Sequence, residues 1–111
     1  MGGLRAGVVV LVRFPFSDLS SSKLRPALVV APAGGADWVL CQITSKPYSD
    51  PRAVALTSAS FSEGGLPQES FVRPGKLFTA TESIVVRQVG QLRTEAHRRV
   101  VESVVMLIQG R

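Results

Sequence analysis

Residues 23–46 read KLRPALVVAPAGGADWVLCQITSK, and the reading of this stretch decides the fold. Pro26–Ala31 (PALVVA) is a short apolar run rich in valine, the composition of a buried strand. Pro32–Asp37 (PAGGAD) has turn chemistry. Trp38–Thr44 (WVLCQIT) is a second strand, whose mixed faces imply one buried side and one working side. Antiparallel neighbours place the start of one strand beside the end of the next. Arg25, just ahead of the first run, and Thr44, at the end of the second, are therefore expected at one edge.

The same alternation of strands and turns extends outward. Gly7–Phe14 is a valine-rich strand, and Pro15–Lys23 is a polar loop. Downstream come a loop at Ser45–Pro51, a short strand at Ala53–Thr57 and an exposed Ser/Gly/Pro-rich connection over 58–67. Gln68–Arg73 reads as a strand ended by Pro74-Gly75, while Leu77–Ala80 is ambiguous. Ile84–Leu92 is strand-like, with Gly90 marking a bulge or a close approach. Helix signals appear only at the end: Thr94 as cap, Glu95 in the first turn, Gly110 as stop. Val101, Val104, Val105 and Ile108 share one helical face, which is expected to pack on the β core. Five to seven short strands plus one helix make a mainly β chain, a small curled sheet or barrel with a C-terminal α-helix.

The bulk properties narrow the function. A chain of 111 residues is expected to form one domain, 1–111. At 45% hydrophobic and 19% charged it can bury a core, which excludes disorder. The net charge of +5 leans toward a polyanionic partner such as nucleic acid. With Cys41 as the one cysteine, neither an internal disulfide nor a cysteine-based zinc site can form, and the chain reads as a protein of the reducing cytoplasm. No apolar run reaches the length of a membrane span, so no membrane partner is expected. The start, MGGLRAGVVVLVRFPF, has an apolar stretch cut short by Arg13 and no small-residue cleavage site.

The chemistry is restricted in the same way. The one histidine, His97, falls in the first turn of the expected helix and reads as a surface or cap-region residue. Serine–histidine and cysteine–histidine catalysis therefore lack support, and no spacing of His, Cys, Asp and Glu suggests a metal. No glycine-rich phosphate loop is present. RNA cleavage tolerates this poverty, because RNA carries its own nucleophile, the 2′-hydroxyl. The protein need only hold the phosphate, align the reacting oxygens, stabilise added negative charge and move protons. Arginine suits phosphate through its planar fork. Arg25, whose geometry is restricted by Pro26, and Thr44 are the candidates, with Ser45 and Lys46 beside them. Alone, such an arginine is usually just a solvated side chain, and such a threonine usually just a turn former. Lys23, Lys46, Arg52, Arg73 and Lys76 lie in or beside loops and are available for phosphate. Phe14, Phe16 and Tyr48 are open to base stacking or packing, and Trp38, Cys41 and Phe71 read as packing.

The series GVVVLVRFPFSD (7–18), KLRPALVVAP (23–32), CQITSK (41–46) and QVGQL (88–92), followed by a terminal helix, resembles the MazF/PemK toxins of bacterial toxin–antitoxin systems. The resemblance runs in order from about residue 7 to 108, with the RPALVV block its most specific part. It implies an SH3-like β-barrel of the MazF/PemK/CcdB type acting as a homodimer, without cofactor or metal. It implies sequence-specific, ribosome-independent cleavage of single-stranded mRNA to 2′,3′-cyclic phosphate and 5′-hydroxyl ends. A cognate antitoxin protein is the implied partner, with DNA binding by the complex. Arg25 matches the family's catalytic arginine and Thr44 its catalytic threonine or serine. Lys23, Ser45, Lys46, Arg73 and Lys76 are the RNA-binding candidates. The chain departs from the pattern at Gly75, where some members carry an acidic residue, and at Phe78, where an arginine is frequent. A non-catalytic SH3-like module for nucleic acid or protein, or a gyrase-inhibiting toxin of the same fold, is the alternative, since fold does not fix function.

Overall fold

The structure is a computed structural model that describes residues 3–15, 22–47 and 49–111. Seven strands form one sheet: β1 (Val8–Pro15), β2 (Ser22–Gly34), β3 (Asp37–Thr44), β4 (Val54–Leu56), β5 (Phe61–Gly64), β6 (Ser70–Thr81) and β7 (Val85–Leu92). The sheet order is β4-β6-β3-β2-β1-β7-β5 and every pairing is antiparallel. Helix α1 (Thr94–Ile108) closes the chain. The sheet curls into a half-barrel, as the alternation of strands and turns implied.

β1 lies inside this sheet, between β2 and β7, and its sequence explains why. Val8, Val9, Val10 and Val12 are all buried, so both faces of the strand are covered and the run reads as continuous rather than alternating. Val9, Leu28, Val30, Cys41 and Ile43 pack on the helical side with Ala96, Val100 and Val104 of α1. Val8, Val10, Val12, Ala27, Val29 and Leu40 form a second core on the other face, against Trp38, Phe78 and Ile84. Trp38 and Cys41 thus pack as expected. Each fully buried valine contributes roughly 1.5–3 kcal/mol of transfer free energy. The two edge strands are only 3 and 4 residues long, which limits the unpaired backbone they offer to other chains.

Several local expectations are corrected. β2 begins at Ser22, so Arg25 lies within a strand, opposite Val12, rather than at a loop border. The 58–67 connection contains a short 3-10 turn, Ser58–Ser60, capped by the Thr57 hydroxyl, and then β5, which pairs with β7. Gly64 stands opposite Gly90 there. A Cβ on Gly90 would lie 2.8 Å from Cδ2 of Phe61, and one on Gly64 would collide with the Val89 carbonyl, so this edge pairing requires glycine on both strands. Pro74-Gly75 does not end β6. Register passes from Cys41↔Leu77 to Ile43↔Val72, so residues 73–76 bulge where Pro74 cannot donate to the ladder.

The helix is also rotated from the expected face. Ala96, Val100 and Val104 are the buried stripe, whereas Val105 and Ile108 are 44% and 72% exposed. Arg93, not Thr94, is the N-cap, and it supplies no side-chain cap. Its backbone N–H donates to the Ser60 carbonyl and its Nε to the Ala59 carbonyl, pinning the helix start to the turn before β5. Gly110, at φ +75°, stops the helix as expected: its N–H donates to the Leu107 carbonyl and that of Arg111 to Met106. Among the described residues no helix is long and apolar enough to cross a membrane.

Candidate functional site

The ladder between β2 and β3 ends at the pair Ala27↔Gln42. Two residues beyond it on each strand come Arg25 and Thr44, and the two-residue pleat puts both on the same side of the sheet. They line one open depression of about 200 Å3, together with Ser45 and Pro26. Leu11, Leu24 and Ile43, with Leu66, Pro67, Gln68 and Ser70 from further along the chain, complete its lining. The strand-edge argument from sequence therefore brings the intended pair together. Arg25 is exposed and Thr44 half-buried.

Thr44 is held in a defined state. Its Oγ1 accepts a hydrogen bond from the Lys46 N–H at 3.1 Å, and the hydroxyl keeps its own hydrogen as a donor. The loop that follows is ordered by its own backbone: the Asp50 N–H donates to the Pro47 carbonyl at 2.9 Å, and the Ala53 N–H to the Asp50 carbonyl at 3.2 Å. The Asp50 carboxylate accepts from the Arg52 N–H at 2.9 Å and from Arg73 Nε at 3.1 Å. These two hydrogen bonds, the backbone one foremost, hold its pKa below the ordinary carboxylate value. The helix adds a tie, with the Ser103 hydroxyl donating to the Arg52 carbonyl at 3.4 Å.

The remaining basic candidates separate. Lys23 precedes Arg25 on β2, opposite Phe14, and is exposed, as are Ser45 and Lys46. Arg73 and Lys76 do not line the depression. They sit in the β6 bulge, where the Arg73 side chain, 20% accessible, is engaged by Asp50. Phe16 and Tyr48 lie outside the described residues, as does the side chain of Phe14. Sequence reasoning overlooked Leu66, Pro67 and Gln68, which carry no periodic or charge signal and reach the site only through the fold.

Other reactive groups are unsuited to catalysis here. Cys41 is buried, its Sγ donates to the Arg73 carbonyl at 3.1 Å, and burial, with the Asp50 charge adding, pushes its pKa up to about 12. It is a thiol at neutral pH and no nucleophile. His97 is partly buried rather than a surface residue, and burial lowers its pKa while a hydrogen bond to Val30 opposes that shift. It does not line the depression. Among the described residues no three His, Cys, Asp or Glu side chains group to hold a metal ion.

A family model described as PemK-like, MazF-like toxin of type II toxin–antitoxin system matches residues 5–108. The chain belongs to this toxin family. Solved MazF structures share the fold. The MazE–MazF structure from Deinococcus radiodurans (Form-III) superposes with a TM-score of 0.77 at 19% identity, covering 97% of this chain and 98% of that one. The Mycobacterium tuberculosis toxin MazF-mt6 gives 0.70 at 17% identity, covering 92% and 96%. An endoribonuclease in complex with its cognate antitoxin, from a mycobacterial species, gives 0.70 at 17% identity, covering 99% and 96%. No curated protein sequence matches the chain.

Proposed function

We propose that this MazF/PemK-family chain acts, as one domain, as a metal-independent endoribonuclease on single-stranded mRNA, with Arg25 and Thr44 as its catalytic residues. The observation that carries the proposal is their convergence, with Ser45, on one open depression at the end of the β2–β3 ladder. The 2′-oxygen of the bound RNA attacks the adjacent phosphorus and loses its proton. The bond from phosphorus to the 5′-oxygen breaks, and that oxygen takes up a proton. The products are a 2′,3′-cyclic phosphate and a 5′-hydroxyl. Arg25 stabilises the negative charge that accumulates on the phosphoryl oxygens, where a rigid cationic fork acts most strongly. The Thr44 hydroxyl, fixed as an acceptor from Lys46, donates to the same phosphate and orients it. Lys23, Ser45 and Lys46 are exposed where the RNA backbone would run on either side.

Two protein partners belong to this reading: a second copy of the chain and a cognate antitoxin. Val105, Met106 and Ile108 leave the end of α1 with apolar surface that a partner would cover. The complexes of related MazF toxins with antitoxins support the second partner.

The test is a cleavage assay on a long unstructured RNA, with the ends sequenced. Wild-type protein is expected to leave cyclic phosphate and 5′-hydroxyl ends with or without EDTA, and folded Arg25→Ala to leave the RNA intact. Cleavage that survives Arg25→Ala, or that EDTA abolishes, sinks the mechanism. Binding without any cleavage by the wild type favours the non-catalytic module.

A further inference from the structure

We infer that the Leu24–Leu66–Pro67 side of the depression is a nucleobase subsite, and that Gln68 determines which base it accepts. This rests on the endoribonuclease reading and adds a specificity residue to it.

Leu24 carries the first observation. It is 44% exposed, a large aliphatic side chain next to the cationic Arg25 on the lining of the depression. Phosphate binding gives such a residue nothing to do, whereas a flat heteroaromatic ring gains by covering it. Leu66 and Pro67, from a distant stretch of the chain, line the same depression, so apolar side chains from two segments wall a space of about 200 Å3. Single-stranded RNA offers unstacked bases to sites of this kind, held face-on by apolar or aromatic side chains and read at the edge. A base next to the phosphate held by Arg25 and Thr44 is within reach of these walls, because all five residues line one depression.

The second observation concerns the edge reader. Gln68 lines the same space and its amide presents a donor and an acceptor side by side, the complement of a base edge. Its backbone is not free to drift. The Ser70 hydroxyl, itself buried, donates to the Gln68 carbonyl at 3.0 Å, tying residue 68 to the start of β6. A reader on a pinned backbone discriminates better than one on a loose loop, since the geometry of the pair is set before the RNA arrives.

The experiment sequences the cut ends of one long RNA treated with wild-type protein, Gln68→Ala and Gln68→Glu, each first checked for native folding by circular dichroism. Wild type is expected to show a base preference at one position flanking the cut. Gln68→Ala is expected to flatten that position by roughly tenfold while leaving other positions selective, the size of discrimination one bidentate pair supplies. Gln68→Glu, an acceptor-only edge, moves the same position toward bases with neighbouring donors. Leu24→Ala raises KM more than it lowers kcat. Unchanged preference in both Gln68 variants overturns the subsite while the endoribonuclease stands. A wild-type protein that cuts nothing overturns both.

Discussion

Arg25 and Arg73 look alike in the sequence: each is an arginine followed by proline beside a polar loop. The fold treats them differently. Arg25 is exposed and lines the depression with Thr44. Arg73 lies in the β6 bulge, its Nε on the Asp50 carboxylate and its side chain largely covered. The first arrangement keeps a cation where an anion can reach it. The second uses the cation to hold the loop that follows Thr44. An arginine–proline pair therefore marks a strand position with restricted geometry, and its neighbours decide whether it works on substrate or on the fold.

The sharpest way to break this comparison is to remove the catalytic pair. Arg25→Ala and Thr44→Ala are each expected to lower single-turnover cleavage by about 10²–10³-fold, the usual effect of losing one preorganised transition-state donor. Thr44→Ser should retain most activity, because it keeps the hydroxyl that Lys46 orients. A wild-type rate in Thr44→Ala would remove Thr44 from the chemistry.

Arg73→Ala should instead act on stability. It removes the side-chain donor to the half-buried Asp50 carboxylate and leaves, among the described residues, the Arg52 backbone donor, so a loss of about 2 kcal/mol in urea unfolding is expected for a hydrogen bond to a charged group. Arg73→Ala that is fully stable but fails to bind RNA would restore its groove role.

Salt dependence separates the two arginines further. If Lys46 contacts phosphate, Lys46→Ala lowers the slope of log K against log salt by roughly 0.7 for a single-stranded ligand. Arg73→Ala, its charge already matched by Asp50, should leave that slope nearly unchanged.

The smallest effect is that of pH on His97, which does not line the depression. Its folded pKa is depressed by burial from 6.5, so the unfolded chain binds the proton more readily. Stability is then complete above about 6.5 and falls as pH drops below it. His97→Gln should flatten that part of the urea-midpoint profile, and an unchanged profile would mean the imidazole is solvated. Asp50 acts at lower pH with the same sign: its depressed pKa means that its contribution is lost as acid protonates the carboxylate.

Much of the architecture was legible in residues 7–46. Valine-rich runs and Gly/Pro turns are local signals, since side-chain shape and backbone freedom act within a few residues. The meeting of Arg25 and Thr44 was legible for the same reason: two strands joined by a short turn can pair in few ways. β5 was not, because FSEG carries no alternation and becomes a strand only through β7 and the facing glycines. The helix face was ambiguous because α1 has apolar residues on more than one side. The tie from Arg93 to Ser60, set by tertiary contact, accompanies burial of Val100 and Val104 with Val105 left outside.

By itself the sequence determined a mainly β chain with a terminal helix, a basic surface, and an arginine and a threonine at one strand edge. Those properties depend on neighbours along the chain. Tertiary structure alone decided that Asp50 reaches Arg73, 23 residues away, and that Gln68 lines the same depression as Arg25. Both depend on how far the sheet curls and where β6 bulges. No short stretch of sequence encodes that, because it results from packing both faces of β1 at once.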